Sequence, residues 1–98
     1  MNPFDYAIKQ REQEIDNSTS DAYKSAMQSQ IEALQDAQKM LVQSGDIGRV
    51  KDEGDIDLII RNYFSQDTYA KRQDGQDISA DLLKGQNLRF LQDLGIRF

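Results

Sequence analysis

The sequence contains neither cysteine nor histidine. Without cysteine there is no disulfide staple, no thiolate nucleophile and no thiolate-bound metal. Without histidine the commonest general base, zinc ligand and triad member is missing too. Catalysis would fall to carboxylates, lysine, tyrosine or serine. Cysteine-free composition fits a reducing compartment, so the expected location is the cytoplasm, or the host cytoplasm if the chain is viral. Long apolar runs are also missing: none is longer than stretches such as Leu58-Ile59-Ile60, far short of the ~20 residues of a membrane span. The opening MNPFDYAIKQREQE has no basic segment leading into an apolar one, so no secretory leader is expected.

Positive charge is in short supply. Twelve Lys and Arg face 17 Asp and Glu, a net charge of −5, and the isoelectric point is near 4.5. This opposes direct nucleic-acid binding, which needs basic groups to displace condensed counterions. It equally opposes adsorption to anionic membranes. It suits a basic protein surface, toward which an acidic chain is steered.

Backbone breakers are confined to one part of the chain. The only proline is Pro3, and all six glycines lie after residue 44: Gly45, Gly48, Gly54, Gly75, Gly85 and Gly95. Residues 3–44 can therefore form long helix, while residues 45–98 must turn repeatedly. Ninety-eight residues suit one domain over 1–98, burying roughly 60–68% of its unfolded surface. Mean hydropathy is low, −0.75, yet the apolar residues are periodic, which argues against disorder. So modest a core leaves room for completion by a partner or by a second copy of the chain, so that a homo-oligomer is allowed.

What is present reads as helix. Asn2 and Pro3 have the chemistry of an N-cap and a first helical residue, and Phe4, Ala7, Ile8 and Ile15 make a narrow apolar stripe. The polar run Asp16-Asn17-Ser18-Thr19-Ser20-Asp21 competes with helix through side-chain to backbone hydrogen bonds, and Ser18 with Asp21 resembles a capping box. A second helix is expected over about 19–43, with Tyr23, Met27, Ile31, Leu34 and Leu41 inward and Gly45 as its stop. At ~100° per residue the two stripes are out of phase. Two helices in a hairpin remove that conflict and are preferred to one helix of ~40 residues.

Beyond Gly45, the segment GDIGRVKDEGD reads as a loop pinned to the core by Ile47 and Val50. Asp55 is expected to cap a helix carrying Ile56, Ile59, Ile60, Tyr63 and Phe64, the cleanest helical pattern in the chain. That helix either continues through Thr68–Arg72 or breaks at Ser65-Gln66-Asp67 and restarts. A short helix with Ile78, Leu82 and Leu83 follows, capped by Asp77 or Ser79, then a last one over 88–94 and an extended tail Ile96-Arg97-Phe98. Phe4, Phe64 and Phe90 are core candidates. The expected fold is all-α: a small helical bundle with an N-terminal helical hairpin, or one long helix, followed by three to four shorter helices. Within it, 3–44 is the hairpin, 45–55 an acidic glycine-rich loop and 56–98 a short-helix subdomain.

Motif tests are negative. Counted from Asp52, an EF-hand would need Gly sixth and Glu twelfth, but Asp57 and Tyr63 stand there. GDIGRVKDEG lacks the GK[ST] ending of a phosphate loop. No metal, cofactor or catalytic residue is expected. Asp46, Asp52, Glu53, Asp55 and Asp57 oppose only Arg49 and Lys51, which makes residues 46–57 the most acidic short region. They form the candidate partner-binding set, joined by Tyr6 and Tyr69, which fall off the apolar stripes as interface tyrosines do.

In size, acidity and lack of cysteine the chain resembles small phage-encoded accessory proteins, among them inhibitors of host nucleases and CRISPR complexes. That resemblance transfers no site. The expected function is a non-enzymatic interaction protein, an accessory or inhibitor protein occupying a basic surface of a larger partner. The alternative is a structural or assembly protein forming a helical oligomer, such as a virion component or chaperone. A DNA-binding regulator is disfavoured by charge, because no helix carries a basic face.

Overall fold

Asn2 and Pro3 start the first helix as their chemistry dictates. In the computed structural model, which describes residues 2–86, helix α1 spans Pro3–Asn17. The Asn2 side chain accepts the Asp5 N–H at 2.9 Å and donates to the Asp5 carboxylate at 3.0 Å. The polar run then ends it: Ser18 is extended, and α2 begins afresh as Asp21–Ser44. The chain therefore forms a hairpin and not one long helix. Its cap differs from expectation. Ser20, not Ser18, accepts the Tyr23 N–H at 3.2 Å, because α1 runs to Asn17 and leaves Ser18 to accept from the Ser20 N–H at 3.1 Å. Gly45 stops α2 in the left-handed region at φ 81°, where a Cβ would be strained.

A 3-10 turn at Ile47–Arg49 carries the chain to α3 (Glu53–Tyr63), α4 (Gln66–Gln73) and α5 (Ser79–Leu82). The fold is all-α, with no strand among the described residues. The helical stretch after residue 55 does break, because Ser65 caps α4 by accepting the Thr68 N–H at 3.3 Å. The last expected helix, Phe90 and the tail Ile96–Phe98 lie outside the described residues.

One apolar cluster joins the elements. Phe4 and Ala7 of α1 meet Ala33, Leu34, Ala37 and Leu41 of α2, Ile56, Ile59 and Tyr63 of α3, and Ile78, Leu82 and Leu83 around α5. Val50 is buried in this cluster and Ile47 packs against it, so the loop is pinned as its sequence suggests. Alanines at the hairpin seam let the two helix backbones approach closely. Each fully buried Leu or Ile contributes roughly 1.5–3 kcal/mol.

Two stripe residues are exposed. Phe64 is 50% exposed: it is the C-cap that ends α3, at φ −90°, ψ 1°, at the far end of the helix's apolar stripe. It packs edge-on against Tyr63 instead, 5.3 Å between ring centroids. Tyr23 is also exposed. The residues of α1 near it are Gln10, Gln13 and Glu14, which offer it hydrogen bonds and no apolar wall.

Candidate functional site

The acidic segment does not present all its carboxylates. Asp55 is 1% exposed. It occupies the first turn of α3, and its Oδ2 accepts the Lys51 N–H at 2.8 Å while its Oδ1 lies 3.4 Å from the Gln86 amide donor. The cap expected of Asp55 belongs to Asp52, which accepts the Asp55 N–H at 3.1 Å. Together they act as a capping box shifted back by one residue, with both charges favourably placed at the positive end of the helix. Asp55 is thus a structural acid and is withdrawn from the candidate surface. Asp46 is held by the Ser44 hydroxyl at 2.9 Å and lies 4.0 Å from Arg49.

Glu53 and Asp57 remain outward, one helical turn apart on α3. Asp57 is 67% exposed at its side chain and lies 3.9 Å from Arg11 of α1. Glu53 makes no side-chain hydrogen bond or ion pair among the described residues, and it lines an open groove of about 420 Å³ between the hairpin arms. The groove's other walls are Gln10, Arg11, Gln13, Glu14 and Asn17 from α1, and Tyr23, Met27 and Gln30 from α2. It lies where the hairpin seam changes from alanine and leucine to amide and carboxylate.

Hydrogen bonds across the groove set its chemistry. Tyr23 donates its hydroxyl to Glu14 at 3.1 Å. That bond, then desolvation and the carboxylate's charge, raises the Tyr23 phenol above its ordinary value. Arg11 donates from Nε to Gln30 at 2.8 Å and from Nη1 to the Ala7 carbonyl at 3.0 Å. Its side chain is only 13% exposed, so it braces the hairpin and shows little positive surface. Gln10 and Gln13 also line a smaller depression of about 270 Å³ with Tyr6 and Lys9. Tyr6 and Glu53 are thereby brought to one continuous face.

Tyr69 belongs to a different cluster. The Arg72 guanidinium lies 3.9 Å from the Tyr63 ring centroid and 5.5 Å from that of Tyr69, and it donates to the Tyr63 hydroxyl at 3.2 Å. Tyr63 donates in turn to Asp36 at 2.8 Å, so α4 is tied to α2 through α3. Burial, then the hydrogen bond and charge of Asp36, raises the Tyr63 phenol above the ordinary 10.0 despite the opposing Arg72. A raised native value favours the neutral phenol. Its stabilisation is therefore full below pH ~10 and fades as pH climbs through the native value. Tyr63→Phe is expected to lose about 1–2 kcal/mol at pH 8, with the difference from wild type shrinking above pH ~10. Urea titrations at both pH values measure this, and a difference independent of pH would contradict it.

The sequence names Glu53, Asp57 and Tyr6 as candidates, and neither Glu14 nor the groove amides. QREQE reads as a solvated helix face. The available signal was the phase shift, which sets that face opposite Tyr23 and Met27 rather than opposite solvent alone. Among the described residues no group of three or more metal-ligating side chains is placed to hold an ion. No described helix is long and apolar enough to cross a membrane. What the groove gathers is two carboxylates, four side-chain amides, a phenol ring, Met27 and the largely buried Arg11. No protein-family model, curated protein or solved structure was found to match the chain.

Proposed function

We propose that the chain is a non-enzymatic interaction protein, an accessory or inhibitor protein that occupies a basic surface of a larger partner. The observation that carries this reading is the groove that Glu53 of α3 and Glu14 of α1 both line, with the exposed Asp57 of α3 beside its wall residue Arg11. Exposed carboxylates compete for the same Arg and Lys side chains that bind nucleic-acid phosphates, so a nucleic-acid-binding partner suits this surface. Tyr6 beside the groove adds an exposed aromatic of the kind that anchors interfaces.

The test is capture of cellular partners by the immobilised full chain, wild type against the quadruple variant Asp46→Asn, Asp52→Asn, Glu53→Gln, Asp57→Asn. Asparagine preserves the Asp52 cap, so the fold should survive. Wild-type capture is expected to weaken at least tenfold between low and high salt, and the variant should capture at least tenfold less at low salt. Salt-insensitive capture would sink the electrostatic reading. Light scattering on the eluted protein tests the assembly alternative: a defined homo-oligomer joined through α1 and α2 would replace the partner reading with that one.

A further inference from the structure

The groove is more specific than an acidic surface. Glu14 and Glu53 approach it from different helices. Glu14 commits one oxygen to Tyr23, and its other oxygen has no hydrogen bond among the described residues. Gln10, Gln13 and Asn17 supply neutral side-chain amides, the Gln30 oxygen is already taken by Arg11, and Tyr23 supplies an aromatic wall. Among the described residues the one cation in the lining is Arg11, whose Nε and Nη1 donors are committed to Gln30 and Ala7 and whose Nη2 lies 3.9 Å from Asp57, so the described lining sets two carboxylates against one guanidinium that is already partnered. An anion would meet two carboxylates here and a neutral apolar group would meet mostly polar atoms, so a cation with several donors is the ligand that fits.

The chain itself shows which cation the wall accommodates. Arg11 is held by an amide oxygen, a backbone carbonyl and, more loosely, Asp57, which is guanidinium solvation by the same residue types that line the rest of the groove. A second guanidinium would place a flat fork of donors between Glu14 and Glu53, which a point-charge ammonium bridges less well, and could lie over Tyr23. We propose that the groove receives an arginine side chain from the partner. This rests on the interaction reading above and names the group that reading leaves open.

The probe is N-acetyl-arginine amide, titrated into the full-length 15N-labelled chain and followed by NMR. Its controls are N-acetyl-citrulline amide, which keeps the shape and loses the charge, and N-acetyl-lysine amide. Saturable shifts are expected at Gln10, Gln13, Glu14, Gln30 and Glu53, with affinity at least tenfold above citrulline and at least threefold above lysine. The Glu14→Gln, Glu53→Gln double variant should bind at least fivefold more weakly while its other resonances stay in place, which shows an intact fold. Equal binding of arginine and citrulline overturns the proposal. So does equal or tighter binding of lysine, a set of shifts centred away from the groove, or no saturable shift. Any of these with salt-sensitive partner capture intact leaves the broader interaction reading standing. Loss of that capture with arginine binding intact removes the broader reading alone.

Discussion

Replacing Phe4 by alanine should cost about 3–5 kcal/mol and lower the melting temperature by roughly 12 °C or more. Phe4 is 1% exposed although it sits in the first turn of the chain's first helix, a place where ends usually fray. It is the large side chain that α1 contributes to the core, since Ala7 beside it is small. Alanine at position 4 would leave a cavity against α2 and α3 that the bundle can close only partly. Phe64 provides the matched comparison. It carries the same side chain on an equally good apolar stripe, but half of it faces solvent. Phe64→Ala should cost about 1 kcal/mol or less. Urea unfolding of the two variants decides the point, and equal losses would contradict the burial difference.

Asp55→Ala should lose about 1–3 kcal/mol, because it removes a fully buried carboxylate together with the hydrogen bond that it accepts from the Lys51 N–H. Asp57→Ala, two residues on and well exposed, should stay within about 0.5 kcal/mol. Asp55→Asn keeps an acceptor oxygen and should fall between them. The three variants separate the structural acid of this segment from its surface acids by chemical denaturation alone. Equal stability of Asp55→Ala and Asp57→Ala would show that the inward bonds of Asp55 contribute nothing.

Much of this fold is legible in the residues. The Asn2-Pro3 start, the break at 16–21, the Gly45 stop, the pinning of the loop by Val50 and the inward set Ile56, Ile59 and Tyr63 all follow from local chemistry and period. Phe64 and Asp55 sit at helix ends, where competition among neighbouring caps decides the position by a residue or two, while Tyr23 faces the polar side chains of α1 that its own stripe does not reveal. Asp52 and Asp55 are both good caps by type, and only the packing of Ile56 and Ile59 against the core selects which one points in. The groove escaped for another reason. It is a property of two helices together, and QREQE read alone is an ordinary wet face.

The hairpin is sealed by small apolar side chains at one level and only bridged by polar ones at another. Natural variation can therefore act on the two levels separately. Changes among Ala7, Ala33 and Leu34 are answerable to folding, whereas changes at Gln10, Gln13, Glu14 and Glu53 displace no core atom. A chain built this way can retune what its groove recognises, one surface residue at a time, without first acquiring a stability reserve to survive the change.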